Sequence, residues 1–98
     1  MNLEKSILRA LDQINARGLI RFYAFAKTGS FRAASELLCC SEKGIYEATR
    51  VLEETLDVRL YTAKRYSELT EAGEHLSAML TTIFEDLDKA IQQAKKLK

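Results

Sequence analysis

The 98 residues contain no proline and no tryptophan, and only four glycines, two cysteines and one histidine. Without proline, nothing in the chain is forced to break a helix, and few glycines leave few obligatory turns, so long helices are expected. The two cysteines, Cys39 and Cys40, are adjacent. Neighbouring cysteines bridge only with strain, so a disulfide framework is excluded. They do not form a zinc spacing with the lone and distant His75. No run approaches the roughly 18 apolar residues of a membrane span, and the first residues lack a signal-type apolar core. The cytoplasm is the expected location. With no glycine-rich phosphate loop and no nucleophile–base pattern, no enzyme activity, catalytic residue, metal or cofactor is expected.

Charge of one sign is also missing. The formal net charge is +1, so this is not the strongly basic chain of a non-specific polyanion binder. The distribution says more. Residues 18–32 carry Arg21, Lys27 and Arg32 with no acid, and residues 59–65 carry Arg59, Lys64 and Arg65 with no acid. Between them, residues 41–55 set Lys43 and Arg50 against Glu42, Glu47, Glu53 and Glu54. An apolar content of 47% with 30% charged residues is ordinary for one small globular domain, whose modest core leaves room for stabilisation by oligomerisation.

The most informative stretch runs from Thr28 to Glu53. Gly29 can close an incoming helix in a left-handed conformation, and Ser30 can cap the next one. Ala33, Ala34, Leu37 and Leu38 recur three and four apart and predict one buried face over residues 30–38. Ser41 repeats the cap, and Ile45, Ala48, Thr49 and Leu52 predict the buried face of a second helix over 41–55. Two helices joined by a turn of about three or four residues form a helix-turn-helix candidate. Glu42, Lys43, Tyr46, Glu47 and Arg50 fall on the outer face of its second helix.

This stretch resembles the LysR-type DNA-binding domain. The matching residues are Gly29, Ser30, Phe31, Ala33, Ala34, Leu38, Ser41, Ile45, Leu52 and Glu53. Leu56, Val58, Leu60 and Tyr61 look like the family's Leu-Gly-x-x-Leu-Phe, and Leu69-Thr70-Glu71-Ala72-Gly73 looks like its Leu-Thr-x-Ala-Gly. The resemblance covers roughly residues 19–76 and extends into the last helix. Four positions depart from it: Glu42 replaces the usual Gln, Tyr46 the usual Ser, Asp57 the Gly, and Ala63 the wing Arg. The run from Ser41 to Ala48 is closer to ModE-type winged helices. The resemblance also places Cys40 at a small apolar core position, as a buried thiol, with Cys39 in the turn.

On either side the pattern continues. Leu3, Ile7, Leu8, Leu11 and Ile14 predict an amphipathic helix over residues 2–17, added ahead of the usual family start, with packing against the core as its expected role and docking to a partner as the alternative. Gly18 is read as a break, followed by a helix over 19–28 with Phe22 and Phe25 inside. Val58 and Leu60 alternate with Asp57 and Arg59, predicting a short β-hairpin whose tip carries Lys64, Arg65 and Tyr66. Thr70 caps a last helix of about 28 residues, roughly 40 Å long. Leu76, Leu80, Ile83, Leu87, Ala90, Ala94 and Leu97 form a heptad seam along it, widened by Ile91.

The expected architecture is therefore mainly α: a winged helix-turn-helix over residues 1–70, with an added N-terminal helix and a short β-hairpin wing, and a C-terminal dimerisation helix over 71–98. The expected function is a cytoplasmic, nucleoid-associated, bacterial-type transcriptional regulator that binds double-stranded DNA as a homodimer. Ser30, Arg32, Ser41, Glu42, Lys43, Tyr46, Glu47 and Arg50, with Lys64, Arg65 and Tyr66 of the wing, are the expected DNA contacts. The seam residues and Ile91 are the expected dimer interface. The alternative is a protein-interaction adaptor or antirepressor on the same fold, binding another regulatory protein. In LysR-type proteins the last helix leads to an effector domain. None is expected within these 98 residues.

Overall fold

A computed structural model describes residues 4–62 and 68–98. It contains five helices: α1 (Lys5–Asp12), α2 (Ala16–Thr28), α3 (Phe31–Leu38), α4 (Glu42–Leu56) and α5 (Glu71–Leu97). Their boundaries follow from local chemistry. Asn15 Oδ1 accepts from the Arg17 N–H at 2.8 Å, and Ser30 Oγ from the Ala33 N–H at 2.9 Å. Ser41 Oγ accepts from the Gly44 N–H at 2.9 Å, and Thr70 Oγ1 from the Gly73 N–H at 3.0 Å. Each cap satisfies a donor that the first helical turn leaves open. Gly29 ends α2 at φ 80°. Cys39 and Asp57 end α3 and α4 at φ 55° and 53°, in the left-handed region that favours glycine. Asp57 stands where the resembling family carries Gly, and the backbone conformation explains that preference.

α2 is the centre of the assembly, packing on α3, α4 and α5. Phe22, Phe25, Ala34, Ile45, Leu52, Leu60, Tyr61 and Leu80 form the buried core. The Phe25 ring stacks on Phe31 with centroids 4.2 Å apart, and Tyr61 meets Phe25 edge-on at 5.1 Å. Burial pushes the Tyr61 phenol above its ordinary pKa.

Four expectations are corrected. The break lies at residues 13–15, not at Gly18, which is buried inside α2 and faces the Ala48 carbonyl. The asparagine cap overrides a glycine reading. Leu37 is 64% exposed, because α3 buries only Ala34 and Ser35 fully against α2 and α4. The short hairpin is paired at its base by an antiparallel bridge, Tyr61 to Leu69, with the Thr62 N–H donating to the Glu68 carbonyl at 2.9 Å, whereas residues 57–60, read as a strand, form none. Leu60 and Tyr61 are both buried although consecutive, which strand alternation does not produce. The N-terminal helix does not pack on the core: Ile7, Leu8 and Leu11 are 43, 50 and 53% exposed, and α1 buries no residue. The double variant Leu8→Gln, Leu11→Gln is therefore expected to shift the thermal midpoint by less than about 2 °C. A larger fall in a thermal circular dichroism scan would show that α1 stabilises the fold.

α5 divides along its length. Gly73, Ser77 and Leu80 are buried, and Leu76 and Phe84 pack on the core edge. Tyr23 ties α2 to this half through a 2.8 Å hydrogen bond with Thr81 and an edge contact with Phe84. From Glu85 onward every residue is exposed.

Candidate nucleic-acid interface

α4 is held by its inner face. Ile45, Thr49 and Leu52 are buried, and the Thr49 hydroxyl donates to the Tyr46 carbonyl at 2.8 Å. The Arg21 guanidinium crosses from α2 and donates to the Gly44 carbonyl at 3.3 Å. Gly44 makes room for it: a Cβ there would come within 3.1 Å of both Arg21 Nη1 and Ser41 Oγ. Tyr46 is half-buried and meets the Phe31 ring edge-on at 6.0 Å, which joins the outer side of α4 to the start of α3.

Outward, the structure places Glu42, Lys43, Glu47 and Arg50 in solvent. Residues 43, 47, 50 and 54 follow helical spacing and make one row of alternating charge, Lys43, Glu47, Arg50 and Glu54. The row is closed by two ion pairs, Lys43 to Glu47 at 3.8 Å and Arg50 to Glu54 at 3.3 Å. Arg32, exposed on α3, pairs likewise with Glu36 at 3.1 Å. Ser30 and Ser41 spend their side chains as helix caps. The expected wing contacts Lys64, Arg65 and Tyr66 lie outside the described residues.

The basic flank read over residues 18–32 is partly used inside the protein. Arg21 holds the α4 start, and Lys27 Nζ lies 5.5 Å from the Tyr23 ring centre. Glu53 was missed as a positioning residue. Its Oε2 accepts from the Leu60 N–H at 2.8 Å and the Tyr61 N–H at 3.3 Å, so one of the four acids on α4 faces the backbone of the wing stem. Its place in the Leu52-Glu53 pair was the available signal. Cys39 and Cys40 are free thiols, Cys39 exposed and Cys40 partly buried beside the core. Among the described residues no group of three His, Cys, Asp or Glu side chains could hold a metal ion. No described helix is long and apolar enough to cross a membrane.

Of the expected seam on α5, Leu80 is corrected. It is 2% exposed and belongs to the chain's own core, and Leu76 packs against that core. Ile83, Leu87 and Ile91 are 52, 55 and 44% exposed, and Ala90, Ala94 and Leu97 are exposed beyond them.

A capped helix pair, a second helix with its inner face buried and its outer face in solvent, and a bridged stem leading into a long helix define a winged helix-turn-helix protein. Residues 17–74 match the family model described as bacterial regulatory helix-turn-helix protein, lysR family. The chain belongs to that family. Two relatives from Escherichia coli (strain K12) are 34% identical: the uncharacterised HTH-type transcriptional regulator YcaN, over 76% of this chain and 25% of its own length, and the regulator PgrR, over 81% and 27%. The chain thus spans about a quarter of these relatives. Among solved structures, the BenM DNA-binding domain in a benA site 1 DNA complex superposes with a TM-score of 0.78 at 21% identity, over 85% of this chain and 94% of that one. Vibrio fischeri DarR in complex with DNA gives 0.74 at 26% identity, over 99% and 30%.

Proposed function

We propose that these residues are the DNA-binding part of a LysR-family transcriptional regulator, which reads double-stranded DNA as a homodimer with α4 in the major groove. The observation that carries this reading is α4 itself. Its inner face is fixed by Ile45, Thr49 and Leu52, while Glu42, Lys43, Glu47 and Arg50 stand in solvent beside the helix start, where helix-turn-helix proteins meet base edges. Family membership and neighbours named as DNA complexes support it. Arg32 on α3, and by their chemistry Lys64, Arg65 and Tyr66, are suited to phosphate contacts, which fix register without reading sequence.

α5 supports the proposed dimer. A helix of 27 residues is roughly 40 Å long, and its second half has no cover among the described residues. Pairing Ile83, Leu87, Ala90, Ile91, Ala94 and Leu97 with their counterparts would bury this apolar stripe. It would also hold two α4 helices at a fixed separation for two half-sites. The double variant Ile83→Asp, Leu87→Asp is expected to sediment as a folded monomer, since both positions are exposed in the protomer. A variant that still sediments as a dimer would move the interface elsewhere.

The test of the reading is selection of sites from a random duplex pool, followed by affinity for the winner across a salt series. An enriched inverted repeat whose binding falls steeply with salt is the expected result. No enrichment, with weak and salt-insensitive binding, would favour the second reading, a protein-interaction adaptor or antirepressor. The uncovered apolar face of α1 is the observation behind that alternative.

A further inference from the structure

We propose that Lys43 and Glu47 act as one reading unit, an ion pair that recognises a G·C base pair in each half-site without being broken. The inference rests on the DNA-reading function above and specifies its sequence preference. Lys43 Nζ lies 3.8 Å from Glu47 Oε1, one helical turn apart, with side chains 82 and 61% exposed. Neither group is committed to the protein interior. Both stand on the solvent face of α4, in its N-terminal half.

The pair offers a donor and an acceptor side by side. In the major groove, a G·C pair offers the matching set: guanine N7 and O6 accept, and the neighbouring cytosine N4 amine donates. The ammonium has three hydrogens and the carboxylate two oxygens. Lys43 can donate to guanine O6 or N7 while it keeps Glu47, and the other Glu47 oxygen can accept from cytosine N4. Neither charge is left unpaired when water is expelled, which avoids the main cost of burying charged groups at an interface.

An A·T pair fits less well. Its two acceptors, adenine N7 and thymine O4, lie on either side of the adenine amine, so a carboxylate that accepts from that amine stands next to thymine O4, which repels it. Phosphate alone fits worse still, because a cation that grips phosphate here brings Glu47 with it. The same pair therefore favours one base pair and disfavours sequence-independent binding. Arg50 and Glu54 repeat the arrangement one to two turns further along α4, away from the end that enters the groove.

The test uses the whole chain as wild type, Lys43→Gln, Glu47→Gln and Glu54→Gln, with site selection on each. Affinities for single base-pair changes are then measured at one salt concentration. Wild type is expected to require one G·C pair per half-site and to lose roughly ten-fold or more in affinity when it becomes A·T. Glu47→Gln should lose that preference or move it towards A·T, since glutamine pairs with adenine N6 and N7. Lys43→Gln should lose the G·C requirement, and Glu54→Gln should keep it. Replacing that cytosine by 2-pyrimidinone, which lacks the N4 amine, should weaken wild type and leave Glu47→Gln unchanged. An enriched site with the same preferences in wild type, Lys43→Gln and Glu47→Gln would overturn the inference and leave the DNA-reading function standing. So would a Glu47→Gln variant that binds every duplex more tightly with unaltered preference. No enriched site for any protein would overturn both.

Discussion

Gly73→Ala is expected to lower the thermal midpoint by about 10–20 °C, the largest effect of a methyl group added at any of the four glycines. The first turn of α5 lies against the stem that follows α4. Thr70 N–H donates to the Leu60 carbonyl at 2.9 Å, Thr70 Oγ1 donates to the Arg59 carbonyl at 2.6 Å, and the same Oγ1 caps Gly73. A Cβ on Gly73 would overlap the Leu60 carbonyl oxygen and would sit 3.1 Å from the Leu60 carbonyl carbon. That neighbour is backbone, and its oxygen is already held by Thr70. Relief requires α5 to lift away from the stem, which uncovers Leu60 and Tyr61 together. Overpacking of this kind costs about 2–3 kcal/mol, and each kcal/mol moves the midpoint of a domain this size by about 4–8 °C. A thermal circular dichroism scan measures it. An unchanged midpoint would mean that α5 can shift without loss.

Glu53→Ala is expected to cost about 2–3 kcal/mol, with Glu53→Gln costing less. The carboxylate supplies the acceptor for two backbone N–H groups, those of Leu60 and Tyr61, whose side chains are fully buried. Alanine leaves both donors without that partner, and hydrogen bonds to charged groups are worth more than neutral ones. Glutamine keeps one acceptor oxygen. Urea unfolding of the two variants beside wild type gives the comparison directly. Equal midpoints for wild type and Glu53→Ala would show that the stem holds its place through Tyr61 and Leu60 packing alone.

These two residues explain why the motif resemblance was informative. In Leu52-Glu53, the leucine enters the core and the glutamate fixes the stem. In Leu69-Thr70-Glu71-Ala72-Gly73, Leu69 bridges Tyr61, Thr70 caps α5, and Gly73 admits the Leu60 backbone. Glu53, Thr70 and Gly73 each answer a specific contact with the stem or the start of α5.

The helix starts at Ser30, Ser41 and Thr70, the stop at Gly29, and the inward set Ile45, Thr49 and Leu52 were legible because their causes are local. A cap bonds two or three residues onward, and helical periodicity repeats within one element. Periodicity also marked the apolar faces of α1 and α5 correctly as apolar. It carried no information on what covers them. α1 turned out to face solvent, Leu37 lay on the open side of α3, and Leu80 belonged to the core rather than to a seam with another chain. The ion-paired row on α4 combined both kinds of cause. Its spacing was in the sequence, but its exposure depended on α4 being buried from the other side.

What the sequence determined by itself was the set of helices, the caps at Ser30, Ser41 and Thr70, and the family, because short-range hydrogen bonding and residue spacing decide those. What only the tertiary structure decided was the partner of each face: Arg21 on the Gly44 carbonyl, Glu53 on the wing stem, Gly73 on Leu60, and, among the described residues, none on the apolar face of α1. Such contacts join elements whose relative placement depends on the whole packed core, and no spacing along the chain encodes that placement.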